Sequence, residues 1–171
     1  MILADTADWL GPQVRAIGLD AEKSYSLLAM DVDFPIEKEM RRAPLLLWAK
    51  TFGGRNTISP EEGDLMGYIP PHPARGSDTH RILIVLLEHD ITLKLPLKTA
   101  AGLAPLYDQR IIELRRLLSR SEVKLFGYNF FRSCWTAQTS PLWTDVLKVP
   151  EPIYGELLPE KPKPVSKYLY N

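Results

Sequence analysis

The chain of 171 residues carries 21 basic and 21 acidic side chains, with 45% apolar and 25% charged residues. That composition fits one folded domain and excludes a disordered chain, while a net charge of zero excludes a global basic field drawing it onto nucleic acid or an anionic membrane. One cysteine, Cys134, excludes an internal disulfide framework and a cysteine-rich zinc site, and suits a reducing compartment.

Fifteen prolines, against a usual share of about 5%, predict turns, bends and short helices. The segment 1–9 has acidic residues where a presequence would carry basic ones, so no address is legible there. Residues 8–18 read as a short helix or a loop. The run 24–30 (S-Y-S-L-L-A-M) reads as a strand entering the core, ended by D-V-D-F-P at 31–35, because Pro35 lacks a ladder donor. After a charged loop at 37–42, the apolar run 44–52 reads as a second buried strand closed by Gly53-Gly54. Residues 53–67 read as a connection. The segment 67–76 (G-Y-I-P-P-H-P-A-R-G) is too rich in proline for helix or central strand, and should lie on the surface or line a site. The unbroken apolar run in 80–88 predicts a strand buried on both faces. Ile111, Leu114, Leu117 and Leu118 form one stripe, which predicts a helix over 107–120. Residues 125–135 read as an aromatic strand and 142–148 as a short helix stopped by Pro150. Residues 161–171, with two prolines, three lysines and two tyrosines, read as a tail. Strands early, one helix late and proline-rich loops predict a mainly-β sandwich with one or two peripheral helices.

Asp31 and Asp33 are two apart in a predicted strand, so both carboxylates can converge on one face to serve acid–base chemistry or hold a cation; equally, they can cap the turn before Pro35. His80, at the mouth of the buried strand beside Arg81, suits an anionic head group or a proton relay, or a plain hydrogen bond to loop backbone. His72 and His89 read as surface residues, and the spacing of the three histidines gives no metal site. No nucleophile elbow, phosphate loop or dinucleotide fingerprint is present, and no cofactor is expected. Cys134 reads as a buried small hydrophobe. Two basic features suit RNA or partner contact: Arg110, Arg115, Arg116 and Arg120 on the predicted helix, and Lys161, Lys163 and Lys167 with Tyr168 and Tyr170 on the tail. Ordinary solvation is the competing explanation of the tail.

Three stretches together resemble the phosphatidylethanolamine-binding protein family. They are D-V-D-F-P at 31–35, the proline-rich 67–79 running into His80-Arg81 and the strand after it, and F-F-R-S-C-W at 130–135. The resemblance implies a β-sandwich with a small anion pocket, whose members here are Asp31, Asp33, Pro35, His80 and Arg81. This chain departs from the family pattern at three places. Leu47 stands where a histidine precedes Trp48, Asp78 where the glycine of G-x-H-R is expected, and Val32 where a proline is expected. The pocket is therefore expected to be degenerate and to hold phosphate poorly.

Within the family, the chain resembles the member built into the large subunit of the mitochondrial ribosome. The likeness lies in P-P-x-P-A-R-G-S-x-x-H-R at 70–81, F-F-x-x-x-W at 130–135, E-P-I-Y at 151–154 and the basic tail. It implies a structural constituent of that subunit in the mitochondrial matrix, docked on rRNA and neighbouring ribosomal proteins. The second reading is a ligand-binding or regulatory protein acting on phospholipid head groups, kinases or proteases. The third is an enzyme of small-molecule metabolism using Asp31, Asp33 and His80. The expected division is an N-terminal arm or partial strand or helix region at 1–23, the family-like domain at 24–158 and the proline- and lysine-rich tail at 159–171. Only 30 residues precede D-V-D-F-P, so the sandwich is expected to lack N-terminal strands and to need another chain to complete it. No membrane insertion is expected, since no apolar run nears roughly 18 residues.

Overall fold

Long apolar runs with few breaks give the structure its three central strands. In the computed structural model, which describes residues 12–36, 39–53, 57–58, 64–98, 105–107 and 109–155, β2 (Ser24–Ile36) and β3 (Arg41–Gly53) pair antiparallel from Ser24↔Gly53 to Ile36↔Arg41. The other side of β2 pairs with β5 (His80–His89), which in turn pairs with β8 (Val123–Ser133). Beyond β3 lie β7 (Ile111–Ile112) and β6 (Leu97–Lys98). The result is one antiparallel sheet of six strands in the order β6-β7-β3-β2-β5-β8, and the chain is mainly β. A second, small sheet pairs β1 (Val14–Arg15) with β4 (Thr57–Ile58).

The register sorts side chains between the two faces, because successive residues of a strand point to opposite sides. Leu28, Met30, Leu46, Val85 and Leu87 form one face, covered by Leu93, Ile112 and Leu117 of α1 (Leu114–Leu118). Tyr25, Leu27, Ala29, Trp48 and Phe52 form the other, covered by Ala16 and Ile58 of the β1–β4 region. Past Asp31 on that face a third cluster gathers Phe34, Ile36, Leu45, Leu47 and Ile82 under Ile69, Ala74, Tyr107, Trp143 and Leu147. Thus β2 and β3 are buried on both faces, as their unbroken apolar runs require.

Three expectations are corrected. The strand at 24–30 does not stop before D-V-D-F-P; it runs to Ile36 through Pro35, which lies opposite Arg42. Beyond Asp31 only β3 flanks β2, so the missing proline donor falls on a stretch with a free side. The helix over 107–120 contracts to Leu114–Leu118. Gln109 takes a positive φ of 53°, and Ile111 then pairs with Leu45 to extend the sheet; a free edge beside β3 wins two buried β-branched residues from the helix. Residues 14–15 are strand where a helix or loop was read. Ala16, just after them, joins a core cluster. The segment 1–11 and the tail from 156 lie outside the described residues.

Candidate functional site

The site forms where β2 leaves the shelter of β5. A register shift against β3 between Asp31 and Phe34 places an extra residue in β2 there. Asp31 and Asp33 are both buried. Asp31 Oδ1 accepts the Asp33 backbone N–H at 2.9 Å, so the turn-capping bond open from sequence is present. Asp31 Oδ2 faces His80 Nδ1 at 2.5 Å, and His80 Nε2 faces the Ser77 carbonyl at 3.1 Å. Both ring nitrogens thus face oxygen atoms of the protein, which holds the ring at its two ends.

Asp33 is committed to Arg81. Its Oδ2 accepts the Arg81 backbone N–H at 2.9 Å and Nε at 2.8 Å, and its Oδ1 accepts Nη2 at 2.7 Å. That fork holds the Arg81 guanidinium above its ordinary pKa, the Asp33 hydrogen bond being the largest cause. Arg42 Nη1 donates to the Asp33 carbonyl at 2.7 Å and to the Ser77 carbonyl at 3.4 Å, tying the loop before β5 to the strand. The five pocket residues expected from sequence are therefore together, with Pro35 buried on the wall. Each carboxylate, however, is matched from inside the protein. Asp78, at the family's glycine position, adopts a positive φ of 69°, a backbone state that aspartate tolerates better than most residues.

Phe34, Pro35, His72, Ala74, His80, Trp143 and Tyr154 enclose what remains of the pocket, a space too narrow to admit a water molecule. His72, read from sequence as a surface residue, is buried there. Its Nδ1 donates to the Pro70 carbonyl at 2.6 Å, and its Nε2 accepts from the Tyr107 hydroxyl at 3.0 Å. Its ring stacks on Tyr107 with centroids 5.7 Å apart and meets Trp143 edge-on at 4.9 Å. Burial lowers the pKa of His72 from 6.5 to about 4 and pushes Tyr107 well up, so both are neutral at pH 7. Trp143 Nε1 is buried with no hydrogen-bond partner. Sequence reading missed His72, Tyr107, Trp143 and Tyr154. The aromatic residues left no local signal, and a histidine between prolines reads as loop.

A strap closes the same end of the molecule. Ile153 bridges Arg75, and the Tyr154 N–H donates to the Arg75 carbonyl at 2.9 Å. The Arg75 guanidinium lies 4.6 Å from the Trp135 ring centroid, and Trp135 Nε1 donates to Glu151 at 2.6 Å. Gly76, with a positive φ of 79°, lets the Tyr154 carbonyl approach to where a Cβ would sit 2.1 Å away.

The basic positions separate. Arg110 is half-buried and turned inward, donating to the carbonyls of Leu46 at 3.2 Å and Gly67 at 3.1 Å. Arg115 and Arg116 are exposed on α1, and Arg116 pairs with Glu113 at 3.2 Å; Arg120 is partly buried just beyond. Lys161, Lys163, Lys167, Tyr168 and Tyr170 lie outside the described residues. His89 is buried, where a surface residue was expected, because its Nδ1 donates to the Ile91 carbonyl at 2.8 Å and its Nε2 accepts from Ser26 at 2.8 Å. Cys134, expected inside, is exposed just past the end of β8. A buried Lys50–Asp64 pair at 3.2 Å, joined by Trp48 Nε1, gave no sequence signal. Among the described residues no cluster of His, Cys, Asp and Glu is placed to hold a metal, and no helix is long and apolar enough to cross a membrane.

No family model matches the sequence, and no curated protein matches it. Among solved structures, the chain is similar to a phosphatidylethanolamine-binding protein from Plasmodium vivax, at 18% identity and a TM-score of 0.47, over 72% of this chain and 71% of that one. It is also similar to a carboxypeptidase Y inhibitor solved in complex with its cognate proteinase, at 16% identity and a TM-score of 0.45, over 71% of this chain. It spans 64% of that inhibitor's length. An overlap of this size carries no residue role from either protein to this chain.

Proposed function

We propose that this chain is a structural constituent of the large subunit of the mitochondrial ribosome, a phosphatidylethanolamine-binding-like domain whose ancestral pocket is closed. One observation carries the reading. Three of the four stretches that resemble the ribosomal member meet in space: Arg75 from the proline-rich segment, Trp135 from just past the aromatic strand and Glu151 to Tyr154 from the strap form one contact cluster. Residues from separate parts of the chain act as a single device, which makes the resemblance a coherent one. The cluster also seals a pocket whose two carboxylates are already matched by His80 and Arg81. A domain with a sealed pocket offers its neighbours shape and surface. Asp31, Asp33 and His80 are engaged with groups of the protein itself, so no catalytic step is assigned to them.

Affinity recovery of the tagged full chain from its own mitochondria tests the proposal. Large-subunit rRNA should accompany it in about molar amount; recovery of the chain without rRNA refutes the ribosomal role. The unpartnered Trp143 Nε1 favours a second reading, in which a small polar ligand enters when the strap opens. Titration with phosphoethanolamine, followed through the Trp143 indole N–H resonance, separates the two. A saturable shift supports the ligand reading, and an unmoved resonance supports the closed pocket.

A further inference from the structure

Two large aromatic side chains stand in solvent on one face of the sheet. Paired residues of neighbouring strands share a face, and Tyr128 lies across from Val85 and Phe130 across from Leu83. Val85 and Leu83 belong to the face that carries Leu28, Met30 and Leu87, so Tyr128 and Phe130 extend that face onto β8. Tyr128 is 70% exposed and Phe130 58%, and neither ring meets another ring among the described residues. Burial in this fold therefore does not account for them. Alternate residues of a strand lie about 6.6 Å apart, so the rings are two separate steps of one row.

Arg132 continues the row at the next position on that face, opposite Arg81. Arg81 turns its guanidinium to Asp33. Arg132 is exposed and has no ion pair among the described residues. β8 holds no carboxylate among its eleven residues, and Glu88, near the other end of the ladder, is matched to Lys124 at 3.9 Å. The row is thus ring, ring and unpaired cation.

That order of groups decides between occupants. An unpaired nucleic-acid strand offers flat bases to aromatic rings and phosphates to a guanidinium along one extended backbone. A protein strand added at the edge of β8 would need its outward backbone donors, and the Phe130 N–H is already held by Asn129 Oδ1 at 2.8 Å. An apolar protein surface would cover the rings but desolvate Arg132 without compensation. A duplex keeps its bases stacked inside, out of reach of both rings.

We propose that the β8 face made by Tyr128, Phe130 and Arg132 binds single-stranded RNA, with one unpaired base on each ring and a phosphate on the arginine. The identity of that RNA, an unpaired stretch of large-subunit rRNA, rests on the ribosomal reading; the stacking site rests on the geometry of β8 alone.

The purified full chain should bind a fluorescent oligouridylate of about ten nucleotides saturably, and an RNA duplex of the same length at least about tenfold more weakly. Tyr128→Ala and Phe130→Ala should each weaken binding by about tenfold, while Phe130→Tyr, which keeps a ring, should bind as the native chain does. Arg132→Ala should reduce the slope of log affinity against log salt by about one. Phe131→Ala is the control: Phe131 is 47% exposed but lies opposite Ile82 on the other face, and its loss should leave binding unchanged. In the protein's own cells, a photo-cross-linking aromatic amino acid at position 128 should join to RNA. No binding of the oligouridylate, an affinity that Tyr128→Ala and Phe130→Ala leave unmoved, equal binding of the duplex, or a cross-link to protein alone each overturns the proposal. A cross-link to RNA other than rRNA keeps the stacking site and removes the ribosomal reading. Co-sedimentation with the large subunit and no RNA cross-link at position 128 does the reverse.

Discussion

Asp33 has no exposed surface and receives three bonds from one arginine. Removing that arginine's side chain takes away its two guanidinium bonds and the countercharge, while the backbone N–H bond stays; breaking an ion pair costs about 3–5 kcal/mol when both partners are fully buried. The Arg81 side chain is 40% exposed, so water screens part of the loss. Arg81→Ala should therefore lower unfolding stability by about 2 kcal/mol, and Arg81→Lys, which keeps the charge but loses the fork, by about half of that. Urea titration of the three proteins checks the order. His72 provides the pH dependence. Folding lowers its pKa from 6.5 to about 4, so the folded chain binds fewer protons than the unfolded one between those values. Its contribution to stability is complete above pH 6.5, declines as the pH falls and is lost near pH 4, a total of about 3 kcal/mol. His72→Gln should flatten that part of the profile, measured as the wild-type minus variant difference at pH 7, 5.5 and 4. An unchanged difference would show that His72 is not buried neutral. At this scale the sequence was informative where chemistry and position coincide: His80 and Arg81 open β5, and Asp31 and Asp33 lie where β2 runs past it, so the four meet. It was uninformative for His72, whose burial is decided by Tyr107 and Trp143, 35 and 71 positions away.

Among the elements, the strap depends on a glycine. A Cβ on residue 76 would meet the Tyr154 carbonyl at 2.1 Å, and the positive φ adds strain for any other residue. Gly76→Ala should displace residues 151–155, costing about 1–3 kcal/mol, and should speed proteolysis there while the β2–β3–β5 core keeps its hydrogen-exchange protection. Equal proteolysis in both proteins would mean that the strap is held elsewhere. The long strands were legible because their apolar runs exceed what a half-exposed strand shows. The helix over 107–120 was overcalled because a four-residue stripe cannot report that β3 has a free edge beside Ile111. Strand pairing is a long-range event, and local periodicity sees only one partner.

For the whole molecule, the buried carboxylates are met by groups from distant parts of the chain. Asp31 with His80, Asp33 with Arg81, and Lys50 with Asp64 are pairs drawn from distant parts of the chain. Arg110, expected to contact RNA, is spent on two carbonyls inside the fold. Arg115 and Arg116 of α1 stay exposed on the surface. The fold class was legible from strand count and proline distribution, whereas the closing of the pocket was not, since it depends on Trp143 and Tyr154 returning from the far end of the sequence.

The most direct measurement is a density gradient of gently lysed mitochondria containing the native full chain, run intact and again after the ribosomal subunits are separated by magnesium removal. An assembly component should travel with the ribosome in the first gradient and with the large subunit in the second. A chain that stays at the top of both gradients, at its own size, would contradict the account.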